Sequence, residues 1–147
     1  MSANPRSRAQ RRRDTEHRLT QDKDVWVASA SVDGAPYPVP LSFDWDAEAL
    51  LVARPTDSPT GRNLAATRTV RLELRHTRDV SMIESEVEVL EIDALPQERG
   101  DRFVAHTGFD PRAPYRWFRI SPRRIQAWRE VNELPNRELM RDGRWLV

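Results

Sequence analysis

Residues 55–64 read PTDSPTGRNL, and their types could do chemistry. Thr56, Ser58 and Thr60 carry hydroxyls at every second position. Gly61 permits close backbone approach, Arg62 brings a two-pronged guanidinium, and Asn63 adds an amide. A phosphate monoester needs several donors on a short arc and at least one cation. A helix starting here would add free N–H groups. The same residues also suit a plainer purpose, with Ser58 or Thr60 capping a helix. Residue types alone favour the cap and leave the phosphate seat open.

Little else in the chain competes for a chemical role. His17, His76 and His106 lie far apart without ligand spacing, so a metal site is not expected. The chain has no cysteine, which excludes disulfides, thiolate chemistry and Cys-ligated zinc. No nucleophile elbow, HExxH or P-loop occurs. Glu84, Glu86 and Glu88 alternate along one stretch and read as a solvated strand face. The tryptophans at 26, 45, 117, 128 and 145 read mostly as core, with Trp128 and Trp145 as candidate walls for a planar ligand.

The elements that must position these groups are mostly strands. Residues 25–30 alternate in strand fashion, and Asp33-Gly34 is a strong hairpin signal. A second strand is expected over about 37–44, with Pro36, Pro38 and Pro40 at period two. Each proline lacks an N–H, so this strand must lie at an edge and leave backbone available to a ligand. ALLVARP reads as a third strand, GRNLAATR as a two-turn helix, and TVRLELRH as a half-buried strand. Residues 82–92 alternate until a slip at Leu90 and Ile92, which suggests a bulge. Residues 94–107 look helical, RWFRISPRRIQAWRE reads as two strand pieces broken at Pro122, and the tail carries a second Asp-Gly turn. The expected fold is mainly β: about six antiparallel strands with short connecting helices, closed into a small barrel.

The length of 147 residues points to one domain, over residues 14–147. The apolar share is low at 38%, so a dimer could supply burial that one chain lacks. A net charge of +1 gives no overall case for nucleic acid. Arg6, Arg8, Arg11, Arg12 and Arg13 crowd residues 1–13, which read as a solvated, disordered leader. No apolar run is long enough for a membrane span, and none follows the basic start as in a signal peptide. A cytoplasmic protein is the simplest expectation.

The order of segments carries a resemblance. A DG hairpin, the Pro-studded PYPVPLSF, ALLVARP, the T-x-S-x-T-x-R-N-L pattern and VRLEL follow one another. This order closely resembles the pyridoxamine 5'-phosphate oxidase-like family of flavin-binding split β-barrels. YRWFRISPRRIQAW and RELMRDGRWL look similar to its branch that uses FMN or the deazaflavin coenzyme. The resemblance implies an FMN-binding oxidoreductase acting on a small molecule. The alternatives are a deazaflavin-dependent reductase, with Arg112, Arg123 and Arg124 around the longer anionic tail, and a non-enzymatic carrier. It implies a phosphate site at Thr56, Ser58, Thr60, Arg62 and Asn63, and a ring site at Val39, Pro40, Leu41 and Ser42. It also implies a homodimer in which Trp128 and Arg137 reach across to the cofactor. The family often has Lys where this chain has Thr60 or nearby, so the resemblance implies one cation instead of two at the phosphate site. No catalytic acid or base is identified, and no metal.

Overall fold

The computed structural model describes residues 4–147. Helix α1 (Arg8–Gln21) leads into strands β1 (Asp24–Ala30), β2 (Pro36–Ser42), β3 (Asp44–Trp45) and β4 (Leu50–Pro55). Helix α2 (Pro59–Thr67), β5 (Thr69–Glu73), β6 (Val80–Leu90) and α3 (Gln97–Thr107) follow. The chain ends with β7 (Tyr115–Trp128), a 3-10 turn at Val131–Glu133, β8 (Glu138–Arg141) and β9 (Arg144–Trp145). The six longest strands lie over the segments read as strands, the last of them as one strand rather than two pieces; β3, β8 and β9 are short additions. Among the described residues, no helix is long and apolar enough to cross a membrane.

All strand pairs are antiparallel, in the order β2-β1-β5-β6-β7-β4-β3, with β8 added on β7 and β9 on β8. The sheet curls so that its inner face buries Val27, Phe43, Leu50, Leu72, Ile83, Ile120 and Ile125. Burying one such side chain stabilises by roughly 1.5–3 kcal/mol. Helix α2 docks on this core through fully buried Leu64. At the two ends of the path, β2 and β3 are joined only by the chain at Phe43, and no ladder links β2 to β4 among the described residues. This seam is the split in the barrel.

The prolines of β2 behave as their chemistry demands. Antiparallel partners exchange both N–H···O bonds only at alternate positions. Proline has no N–H, so the bonded pairs are Val25–Leu41, Val27–Val39 and Ser29–Tyr37. The Phe43 N–H donating to the Lys23 carbonyl at 2.9 Å continues the same parity. The outer edge of β2 therefore presents the carbonyls of Pro36, Pro38 and Pro40 and no N–H before Ser42. The backbone this edge leaves available to a ligand is therefore carbonyl rather than N–H until Ser42.

Two further expectations change. Strand β7 is not broken at Pro122: it runs through, and Arg123 is the extra residue where Glu84 faces Arg124 and Ser85 faces Pro122. The irregularity thus lies in the middle of β6, not at Leu90. Leu90 and Ile92 depart from the inward pattern because they pack into a second cluster under α3, with Leu51, Phe103 and Trp117.

The larger correction concerns residues 1–13. From Arg6 onward this segment packs on the barrel, while its first three residues lie outside the described ones. Ser7 caps α1, its hydroxyl accepting the Gln10 N–H at 3.1 Å. The helix buries Arg11, Thr15 and Leu19, one stripe at i, i+4 and i+8. Two of the three are polar, so hydrophobic periodicity could not reveal it. The Arg11 guanidinium donates to the Glu133 and Ala127 carbonyls at 2.9 and 3.2 Å. Arg6 clasps Glu133, with Nε and Nη2 at 3.0 and 2.7 Å from its two carboxylate oxygens. Arg6 also reaches Asp14 at 2.9 Å. The Arg6 hydrogen bonds outweigh burial and lower the Glu133 pKa from 4.5 to about 2. The basic leader is thus the clasp that closes one end of the barrel.

Candidate functional site

At the seam lies an open cleft of about 370 Å³. Pro40, Leu41 and Ser42 from β2 form one side, and Ala53 and Arg54 from β4 the other. Phe103, Phe109 and Tyr115 supply an aromatic wall. That wall is braced: Phe109 meets Phe103 and Tyr115 edge-on, at 6.5 and 5.3 Å between ring centroids. Helix α3, which carries Phe103, is pinned to β3 by Arg99, at 2.7 Å from Asp44 and 3.3 Å from Asp46. Asp24 also lines the cleft, and its carboxylate accepts the Ser42 hydroxyl at 3.3 Å.

Arg54 is the unusual member. Its Nε is buried with no hydrogen-bond acceptor. Among the described residues, no carboxylate lies within ion-pair distance of its guanidinium. Its cross-strand neighbour Arg116 shares the unpaired Nε but differs in having Glu91 at 3.1 Å. Positive charge beside a cleft, without a neutralising partner, is chemistry suited to an anion.

Most polar groups of PTDSPTGRNL are engaged within the chain itself. Ser58 is the N-cap of α2: its hydroxyl accepts the Gly61 N–H at 3.0 Å and donates to the Pro55 carbonyl at 2.8 Å. Thr60 is fully buried, and its hydroxyl has no partner. Arg62 is exposed and donates to the Asp57 carbonyl. The first-turn donors are largely consumed, because Pro59 has none, Gly61 bonds the cap hydroxyl, and the Arg62 N–H bonds the Ser58 carbonyl at 2.9 Å. Gly61 is required by close approach: a Cβ there would stand 2.3 Å from the Pro55 carbonyl oxygen. Thr56 donates its N–H to the Pro114 carbonyl at 3.3 Å, tying the loop to the start of β7. Asn63 turns away and donates to the Ser29 hydroxyl at 3.1 Å.

The ring-site residues fare better. Pro40, Leu41 and Ser42 line the cleft, whereas Val39 faces inward beside Val27 and is not part of the lining. Trp128 and Arg137 come together, the guanidinium lying 5.7 Å from the ring centroid. They sit at the opposite end of β7 from Tyr115, some 13 residues or roughly 40 Å of extended strand away. Within one chain they do not join the cleft. The arginines assigned to a longer anionic tail are already paired. Arg124 lies 3.2 and 2.7 Å from Glu84 and Glu138, Arg123 3.7 Å from Glu86, and Arg112 2.9 Å from Asp110. The residues that sequence reasoning missed are Arg54, Phe103, Phe109 and Tyr115. A charged residue closing the otherwise apolar ALLVA was the available signal for Arg54.

No protein-family model matches the sequence, and no curated protein matches it. Solved structures do match in shape. An F420 reductase superposes with a TM-score of 0.61 at 19% identity, over 75% of this chain and 94% of its own. A Listeria innocua protein assigned as a pyridoxamine 5'-phosphate oxidase gives 0.62 at 14%, over 82% and 97%. The fold is the pyridoxamine 5'-phosphate oxidase-like split β-barrel. An FAD-binding protein from Mesorhizobium loti shares this split barrel at a TM-score of 0.61 and 19% identity, over 79% and 90% of the two chains. Heme-binding proteins share it too. In this split barrel the histidines do not assemble a heme pocket: His17 and His76 are exposed, and the His106 ring nitrogen Nε2 lies 2.8 Å from the Asp22 carbonyl. None of the three lines the seam cleft. Among the described residues, no cluster of three or more His, Cys, Asp or Glu could hold a metal.

Proposed function

We propose that this chain binds a flavin-type cofactor, FMN in the first instance, in the seam cleft, and acts as an oxidoreductase on a small molecule. The observation that carries the reading is the cleft itself, where a braced aromatic wall and the end of β2 flank a cation without a carboxylate partner. Flat apolar walls suit a planar ring system, and a fixed cation suits a phosphate tail. A bound flavin supplies the hydride or electron transfer. Leu41 and the aromatic wall would exclude water from the ring, and the Ser42 N–H is the donor that β2 can offer it.

A volume of about 370 Å³ is near the lower end for small-molecule sites, roughly 300–1,000 Å³. A second copy of the chain would complete the enclosure, and its Trp128 and Arg137 would then have a route to the ligand. The outer sheet face offers a docking surface, with Trp26 46% exposed beside Pro40. A deazaflavin coenzyme is the second reading, supported by the shape shared with an F420 reductase. The pairing of Arg112, Arg123 and Arg124 with carboxylates weighs against a long anionic tail.

The test is the absorbance spectrum of the purified protein, followed by titration with FMN, riboflavin and a deazaflavin. Oxidised-flavin bands or saturable FMN uptake support the proposal. Uptake of the deazaflavin alone supports the second reading. A colourless protein that takes up none of them sinks both.

A further inference from the structure

We infer that Arg54, not Arg62, is the cation that seats the anionic tail of the cofactor; this rests on the flavin reading above and gives it a specific residue. Three observations converge. First, the capping loop spends much of its donor capacity on itself. Ser58 uses its hydroxyl as both donor and acceptor, Thr60 is fully buried, and Arg62 is turned to the Asp57 carbonyl in solvent. Second, Arg54 carries an unmet donor at the cleft. Its Nε is buried without an acceptor, a state that costs roughly 1–3 kcal/mol until an acceptor arrives. Third, the surrounding charges leave Arg54 available. Arg116 opposite it is matched by Glu91, and Asp24, the one carboxylate lining the cleft among the described residues, is engaged by Ser42 on the β2 side. An incoming phosphate oxygen would meet both needs of Arg54, charge and acceptor. The cation is thus supplied from the strand that leads into the loop, four residues before the cap.

The experiment compares FMN with riboflavin, which lacks the phosphate, on wild type, Arg54→Gln, Arg54→Lys and Arg62→Gln. Fluorescence quenching reads affinity, and thermal melting verifies the fold. Arg54→Gln cannot form the charge-assisted hydrogen bond to phosphate, so it should bind FMN roughly tenfold to a hundredfold more weakly. Riboflavin affinity should stay within about threefold, Arg54→Lys should recover part of the FMN preference, and Arg62→Gln should leave it near wild type. A folded Arg54→Gln that keeps the wild-type ratio of FMN to riboflavin affinity overturns the inference and leaves the flavin reading standing. So does a larger loss in Arg62→Gln. If wild type takes up neither flavin, the flavin reading fails, and pyrophosphate followed by ³¹P NMR decides the anion seat alone. Line broadening present in wild type and absent in Arg54→Gln upholds the seat; no broadening in wild type overturns it.

Discussion

Replacing Glu133 with glutamine removes the charge at the centre of the clasp on α1. The carboxylate is buried and accepts the Arg6 and Arg129 backbone N–H groups at 2.7 and 2.8 Å as well as the Arg6 guanidinium. Its pKa falls from 4.5 to about 2 on folding, chiefly through the Arg6 hydrogen bonds. By proton linkage that fall is worth roughly 3 kcal/mol at neutral pH. Breaking a buried pair by removing one partner costs roughly 3–5 kcal/mol. Arg6 keeps Asp14 at 2.9 Å and Asp79 at 3.6 Å, which argues for the lower end. Glu133→Gln should therefore lose about 3 kcal/mol at neutrality, or roughly 6–12 °C in melting temperature for a domain of this size. The sign with pH is fixed. The folded carboxylate is the more acidic one, so its contribution is complete above about pH 4.5 and drains away as pH falls through about 2. Urea unfolding followed by tryptophan fluorescence, repeated across that acid range, should show the two proteins converging. A constant offset at every pH, or a neutral-pH difference under about 1 kcal/mol, would refute the argument.

Deleting residues 1–13 strands the Glu133 carboxylate and removes Arg11 from its carbonyl cage; the melting temperature should drop by about 10 °C or more, and an unchanged melt would show that the clasp is idle. Gly61→Ala would ordinarily favour a helix by about 1 kcal/mol. Here the added Cβ meets the Pro55 carbonyl oxygen at 2.3 Å, so urea unfolding should show a net loss of roughly 1–3 kcal/mol, and a gain would mean the loop relaxes freely. Sedimentation equilibrium should find a dimer at micromolar concentration; a monomer alone would leave the seam cleft open on one side and remove Trp128 and Arg137 from the site.

Period-two alternation could be read in β1, β5 and β6, each with one face in the core, whereas β4 is buried on both faces and reads as an apolar run. Segment order then pointed to the split barrel. What escaped had physical causes. Helix α1 is held by arginines bonded to carbonyls, and a hydrophobicity pattern carries no trace of that. Strand β7 runs through Pro122 at a non-bonded pair with Ser85, beyond the end of β4 at Leu50–Ile120, so the missing donor falls where no neighbouring strand needs it. In the site, composition correctly favoured Ser58 as a cap, whereas the family pattern drew attention to hydroxyls that the fold consumes or buries. Arg54 was overlooked because it stands inside a strand, where alternation alone does not announce a ligand. The aromatic wall comes from residues 103, 109 and 115, brought to β2 only by tertiary structure.

The proline row of β2 has a consequence for how this protein can associate. An exposed strand edge normally invites another strand, since each side offers donors and acceptors in turn. This edge is chemically one-sided. A β-strand arriving from another chain could donate its N–H groups to these carbonyls, but its own carbonyls would face proline nitrogens that carry no hydrogen, so only half of the usual ladder could form. Sheet-to-sheet growth into fibrils is thereby starved of bonds at the very edge the open seam leaves uncovered. Assembly is steered to the faces of the sheet. A molecule lying along the edge must bring its own N–H or O–H groups, so the backbone itself screens for donor-bearing ligands before any side chain takes part.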